Sequence, residues 1–151
     1  LIVRQARASD LDSLSILVEE YWRFESIDGF DATRVQSLLR SLIAEPLVGT
    51  LWVAENGERL AGYLVAVTVF SLEHGGTTAE IDELFVRPAC RGSGAGLALL
   101  QAAEAHAAES GCRNISLQVG VTNAGARRFY RRAGYTERNG YDLLEKDLSG
   151  G

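Results

Sequence analysis

Val86-Arg87-Pro88-Ala89-Cys90-Arg91-Gly92-Ser93-Gly94-Ala95-Gly96 joins a strand-like segment to a long alanine- and leucine-rich one, and its three alternating glycines decide how the chain reads. Residues without a Cβ let a backbone fold tightly and aim successive N–H groups at one point. A helix that starts there adds its N-terminal dipole, so the stretch predicts an anion cradle suited to a pyrophosphate. A Walker A loop is excluded, because it needs Gly-Lys-Ser/Thr and the only lysine is Lys146. A dinucleotide fingerprint is disfavoured, because Leu97 and Leu99 stand where its third glycine would be.

Upstream of the loop, Glu80 to Val86 predicts a strand that follows a Gly75-Gly76 turn. Before it, Leu51 to Glu55 and Leu60 to Phe70 flank Asn56-Gly57, a dipeptide suited to a tight hairpin. Nearer the start, Ile2 to Ala6 predicts a short strand. Ser9 then stands as the N-cap of a helix with Leu11, Leu14, Leu17, Val18 and Tyr21 on one stripe. Ala32 to Ala44 predicts a second amphipathic helix, ended by Pro46. Downstream, Gly94 to Glu109 predicts a helix closed by Ser110-Gly111, and Ile115 to Val119 a strand. Asn123 caps a last helix through Arg132, and two short strands are expected around Tyr135-Thr136 and Tyr141 to Leu144. The expected order is βααβββαβαββ.

The pattern Arg91-x-x-Gly94-x-Gly96 resembles the acetyl-CoA pyrophosphate loop of the GNAT superfamily of N-acetyltransferases. Further along, Asn123-Ala124-Gly125-Ala126-Arg127-Arg128-Phe129-Tyr130-Arg131-Arg132-Ala133-Gly134-Tyr135 is similar to that family's N-x-x-A-x-x-F-Y-x-x-x-G-F/Y segment. The order of elements is also similar, so the resemblance runs through nearly the whole chain. It implies an α/β (α+β) fold with a mixed, mostly antiparallel sheet and about four helices. It also implies direct acetyl transfer from acetyl-CoA to a primary amine. Glu80 to Val86 with Arg87-Pro88 looks closest to members that act on small amines.

The resemblance assigns Arg91, Gly92, Ser93, Gly94, Ala95 and Gly96 to the pyrophosphate. Leu84, Phe85 and Val86 would present backbone to the pantetheine as if it were an added strand, across a splay from the strand at Ile115 to Val119. Asn123 would reach the pantetheine arm, or serve as a helix cap, or do both. Tyr130 matches the family's general acid for the departing thiolate. An ordinary phenol lies above an ordinary thiol by roughly 2 kcal/mol of proton affinity, which makes that transfer late or concerted.

An alkylammonium near pKa 10.4 must also be deprotonated, at a cost of about 4 to 5 kcal/mol near neutrality. Glu80, Asp82 and Glu83 crowd one strand before the loop, and strict alternation would put Glu80 and Asp82 on one face and Glu83 on the other. A carboxylate six residues before Val86 resembles the place where some relatives keep their general base, so the resemblance favours Glu80 as base, acting through water, with Asp82 and Glu83 holding the cation. Tyr21-Trp22-Arg23-Phe24-Glu25, with Asp28 and Asp31, could form an aromatic, acidic acceptor wall. The same aromatics serve equally well as core or as homodimer contacts. Of Arg127, Arg128, Arg131 and Arg132, at least two are expected to be plain surface charges.

Composition bounds the rest. The 151 residues suit one domain, 1–151, with enough chain to bury a core without disulfides. Cys90, Cys112, His74 and His106 have no zinc-site spacing, so no metal is expected. The net charge of −5 argues against nucleic-acid binding, and no apolar run approaches a membrane span, so a cytoplasmic location is expected. All of the negative excess lies in residues 1–75, which would favour a cation if that half walls the site and otherwise serves solubility. A protein or peptide amine is the alternative acceptor, and a non-catalytic acyl-CoA sensor the alternative outside enzymes.

Overall fold

The computed structural model describes residues 1–150. These divide into two compact units, one over Leu1–Gln118 and one from Val119 onward. The first is a five-stranded sheet, β1 (Ile2–Gln5), β2 (Gly49–Asn56), β3 (Arg59–Ser71), β4 (Gly76–Val86) and β5 (Ile115–Leu117), in spatial order β1-β2-β3-β4-β5. Every pairing is antiparallel except β4–β5. A parallel neighbour requires a crossover, and α3 (Ala95–Glu109) supplies it.

Helices α1 (Leu11–Phe24) and α2 (Ala32–Ala44) cover one face of the sheet. Leu11, Leu14, Leu17 and Val18 of α1 and Val35 and Leu39 of α2 bury against Leu51, Val53, Tyr63, Val65 and Phe85. These are the stripes the helical periodicity predicts. Leu14, Leu17 and Tyr63 are wholly inaccessible, and a leucine at such a place contributes about 1.5–3 kcal/mol of burial. On α3 the buried set is Ala95, Leu99, Leu100, Ala103 and Ala107, and His106 meets the ring of Trp52 edge-on. Trp52 is adjacent in strand to Leu51 and Val53, so α3 covers the opposite face.

The start of α1 differs from expectation. Ser9 is not the N-cap of α1; a short 3₁₀ turn, Ala8–Asp10, precedes the helix. Asp10 rather than Ser9 organises this start, accepting the Arg7 N–H at 2.7 Å and two bonds from the Arg4 guanidinium at 2.8 and 2.9 Å. At its other end α1 closes with the Ser26 N–H on the Arg23 carbonyl and the Ile27 N–H on the Trp22 carbonyl. That is the pair of bonds of a Schellman cap, with Ser26 in the left-handed region at φ 57°.

The second unit contains α4 (Ala124–Arg132), capped by the Asn123 side chain accepting the Ala126 N–H at 3.1 Å. The two strands expected after it are not formed among the described residues. Tyr141, Leu143 and Leu144 are exposed at 72%, 62% and 90%, so this stretch has no buried face to hold a register. Among the described residues, no helix is long and apolar enough to cross a membrane.

Candidate functional site

The glycine loop lies where the sequence places it, between β4 and α3. After Val86 a 3₁₀ turn, Pro88–Cys90, leads into Arg91, and the chain then needs φ +81° at Gly92 and φ +88° at Gly94. Ser93 Oγ ties the turn by donating to the Cys90 carbonyl at 2.5 Å. Gly94 is the N-cap of α3 and has no side chain with which to cap it. By contrast, Asp31 caps α2 and Asn123 caps α4 through their side chains. The first-turn N–H groups of α3 are thus left for water or an external acceptor, beside a positive helix dipole.

Strand β4 leads into this loop with a free edge. Its pairing with β5 covers only Ala79, Glu80 and Ile81, against Ile115, Ser116 and Leu117. No strand pairs with that edge beyond Ile81 among the described residues. The Arg87 N–H bonds the Ala61 carbonyl on the β3 side. Alternation then turns the backbone groups of Leu84 and Val86 to the open edge. Arg91 Nε donates to the Val86 carbonyl there, at 3.1 Å. Phe85 differs: its ring is 4% exposed and packs against Tyr21 and Tyr63 at centroid distances of 5.6 and 6.4 Å. Its side chain is core, and Leu84 and Val86 are the residues facing outward along the edge.

The three carboxylates do not alternate as expected. A register shift falls opposite Val65/Ala66, where Val65 pairs with Glu83, Ala66 with Ile81 and Val67 with Glu80. Asp82 is the extra, unpaired residue of a β-bulge and is exposed. Because Val65 and Val67 both belong to the α1/α2 face, Glu80 and Glu83 share that face. The correction follows from one inserted residue, which resets the parity of the strand.

Glu83 is the most closely held of the three. Tyr63 donates its hydroxyl to Oε1 at 2.7 Å, and Trp22 donates Nε1–H to Oε2 at 3.0 Å. Burial pushes the Glu83 carboxyl above its ordinary value, opposed by these two hydrogen bonds, while the Asp82 charge adds to the rise. The same burial, with the Glu83 charge beside it, pushes the Tyr63 phenol far up, so Tyr63 stays a donor. Glu80 is half-buried, and its side chain makes no ion pair or hydrogen bond among the described residues. Trp22 was expected only as part of the acceptor wall and Tyr63 did not stand out, since their ties to Glu83 span 61 and 20 residues. Tyr21 packs against Tyr63 and Phe85 and belongs to the core margin. Phe24 is 58% exposed, with the Arg91 guanidinium 5.2 Å above its ring.

In the second unit, Tyr130 is half-buried between the rings of Phe129 and Tyr135, at 5.1 and 5.7 Å. Burial pushes its hydroxyl up to about 12. Arg127 and Arg131 both pair with Glu137, and Arg128, Arg131 and Arg132 are exposed.

Comparison with known proteins agrees with this arrangement. Residues 14–135 match the family model described as the acetyltransferase (GNAT) family. The chain is 30% identical over 139 residues to an uncharacterized N-acetyltransferase, YhfO, of Bacillus subtilis, covering 92% of each chain. It is also 30% identical over 135 residues to the aminoalkylphosphonate N-acetyltransferase of Salmonella typhimurium, covering 89% of this chain and 84% of that one. Among solved structures, an integron cassette protein from the mobile metagenome of Cole Harbour Salt Marsh superposes with a TM-score of 0.84 at 31% identity. That match covers 99% of this chain and 91% of the other. The protein described by the uncapped glycine loop, the open edge of β4 and these likenesses belongs to the GNAT family of acetyltransferases.

Proposed function

We propose that the chain is an acetyl-CoA-dependent N-acetyltransferase acting on the primary amine of a small cationic molecule, with residues 1–151 working as one domain. The observation that carries this is the conjunction, on one strand and the loop it feeds, of a free backbone edge at Leu84 and Val86 with the uncapped start of α3. A long ligand with a peptide-like arm and a pyrophosphate at its end fits that conjunction. Amide groups add to the strand edge, and phosphate oxygens accept from the N–H groups of Gly92 to Gly96. Arg91 and Ser93 belong to the same cradle, and Asn123, whose carbonyl oxygen caps α4, keeps its amide N–H groups for the arm. The family match runs across both units, which supports treating them as one domain.

Acetyl-CoA supplies the thioester carbonyl that the amine attacks. On the protein side, Glu80 accepts the ammonium proton through water, which leaves a neutral amine to form the new C–N bond. Glu83 and the exposed Asp82 hold the acceptor's positive charge, beside the aromatic margin of Tyr21. As the C–S bond breaks, Tyr130 donates its proton to the thiolate. The small-amine reading draws support from the Salmonella relative, which is named for aminoalkylphosphonates, and from the acidic first half of this chain.

A second assignment of the base has its own support. Glu83 is buried, raised and oriented by two neutral donors, the environment that tunes a carboxylate toward neutral pH. Glu80→Gln and Glu83→Gln separate the two: the base's variant loses the acidic limb of the kcat/KM profile, and the cation holder's variant raises acceptor KM and keeps the limb.

The test of the reading as a whole is release of free CoA thiol from acetyl-CoA across alkylamines, aminoalkylphosphonates, aminoglycosides, amino acids and lysine peptides. Turnover with a small cationic amine is the expected result. Turnover with peptides alone would transfer the reading to protein acceptors. Tight acetyl-CoA binding with no turnover on any amine would favour an acyl-CoA sensor.

A further inference from the structure

The last turn of α1 is fastened to the cofactor path at three successive points. Tyr21 packs on Phe85, Trp22 donates to Glu83, and Phe24 lies under the Arg91 guanidinium. The Schellman bonds from Ser26 and Ile27 fix where that turn ends. Tyr21 and Trp22 reach strand β4, whereas Phe24 alone reaches the loop. It does so as an exposed aromatic ring with a cation above its face, which a core residue would not need.

We infer that Phe24 is a positioning residue for Arg91, holding the guanidinium at the mouth of the pyrophosphate cradle, and not part of the acceptor wall. The inference rests on the acetyl-CoA reading above. Arginine is a long side chain whose freedom must be lost when it grips a phosphate. Here it is tied at two places before any ligand arrives: Nε donates to the Val86 carbonyl, and Cζ sits 5.2 Å over the Phe24 ring. Stacking uses the flat, weakly hydrated face of the guanidinium and leaves the terminal in-plane N–H groups free to donate. A phosphate oxygen meets a donor set that is already aimed, so less ordering is required on binding.

The geometry also links the two halves of the reaction. Trp22, two residues before Phe24, orients Glu83, so one helical turn sets both a carboxylate on β4 and a cation at the loop. Shape and apolar area alone would make leucine an adequate substitute for Phe24. A ring that works through its π face is replaced only by another ring.

The experiment is calorimetric titration of CoA into the full chain and into Phe24→Leu, Phe24→Trp, Arg91→Ala and the Phe24→Leu/Arg91→Ala pair, with melting temperatures measured alongside. Phe24→Leu should weaken CoA binding about 2- to 5-fold, the range of an exposed cation–π contact. Its melting temperature should not change, because the ring is largely exposed. Phe24→Trp should restore binding, and Phe24→Leu should have no further effect once Arg91 is alanine. CoA affinity equal to wild type in Phe24→Leu, failure of tryptophan to rescue, or an undiminished loss in the Arg91→Ala background would each overturn the assignment. A rise in acceptor KM with unchanged CoA affinity would return Phe24 to the acceptor wall. Wild-type chain that does not bind CoA would instead overturn the acetyl-CoA reading itself.

Discussion

Glu80 and Glu83, three residues apart on β4, lie on the same face of the sheet, because the bulge at Asp82 absorbs one residue of the alternation. Without it, Glu83 would face α3 and lose both Trp22 and Tyr63. The bulge also coincides with the end of β4–β5 pairing at Ile81. One local irregularity therefore gathers two carboxylates toward α1 and opens the strand edge beside them.

The burial of Glu83 has a consequence for stability. A carboxyl raised by desolvation binds its proton more tightly in the folded chain. Its contribution to stability is therefore fully present below the unfolded value, and is lost as pH rises through the folded value. Glutamine removes the charge and can still accept from Trp22 and exchange a hydrogen bond with the Tyr63 hydroxyl. Glu83→Gln should be more stable than wild type by about 1 kcal/mol at pH 8, with the advantage fading toward acid. Melting temperatures across pH test this. A variant that is less stable than wild type at pH 8 would show that the ionised form is well compensated.

Much of this arrangement was legible in the sequence, for identifiable reasons. The helices α1 and α2 follow from apolar spacing, since Leu14, Leu17, Val35 and Leu39 bury as the period requires. The β2–β3 hairpin falls where Asn56-Gly57 signals it, although Asn56 ends the strand, paired with Arg59, and the turn is made by Gly57, at φ +68°, and Glu58. The loop and the start of α3 follow from positions where only glycine is comfortable. A bulge leaves no such trace, because Glu80 to Glu83 alternates acceptably in either register. The bonds of Trp22 and Tyr63 to Glu83 were hidden for a related reason: sequence shows that an aromatic wants burial, and only the fold shows which carboxylate its polar tip meets. The hairpin expected after α4 failed because strand propensity at Tyr141 to Leu144 comes with no face to bury.

Tyr130 carries the clearest prediction for the chemistry. With its hydroxyl pushed up to about 12 by burial, the phenol stays protonated throughout the working range. Full transfer to a thiolate near 8.5 would be uphill by roughly 5 kcal/mol, so a proton given by Tyr130 in the proposed reaction would have to move in concert with C–S cleavage. Tyr130→Phe should lower turnover by about 10²-fold or more. The wild-type profile should show no decline from tyrosine ionisation below about pH 11. A decline near pH 9 that disappears in Tyr130→Phe would mean that the hydroxyl titrates well below its buried value. Unchanged turnover in the variant would remove Tyr130 from the reaction.

Away from the site, Arg4 clasps Asp10 and Glu55, joining β1, the start of α1 and β2. The Arg4 side-chain bond, together with the Arg7 N–H, holds Asp10 below its ordinary value against the desolvation that would raise it. A depressed carboxyl contributes stability that is present above its unfolded value, near 3.8, and lost as pH falls through the folded one. Arg4→Met should cost about 1–3 kcal/mol at pH 7, less than a fully buried pair because Arg4 keeps some solvent screening. The deficit should shrink as pH falls through the folded-state value of Asp10, where the carboxyl becomes neutral in both chains. A deficit that persists below that value would assign the loss to packing of the arginine stem.

Two left-handed positions make opposite predictions about glycine. Gly94 occupies φ +88° at the head of α3, with open space where a Cβ would stand. Gly94→Ala therefore meets no clash, and its cost is the backbone conformation alone, about 1–2 kcal/mol. If that strain is relieved by rotating the loop, acetyl-CoA affinity falls with the lost N–H alignment. Ser26 occupies φ 57° at the end of α1, where a Schellman cap favours glycine. Ser26→Gly should therefore raise stability by about 0.5–1 kcal/mol, after the greater freedom glycine gains in the unfolded chain is subtracted. Denaturant midpoints for the two variants test both signs. A destabilising Ser26→Gly would mean that the serine hydroxyl contributes more to the α1–α2 connection than its backbone strain costs.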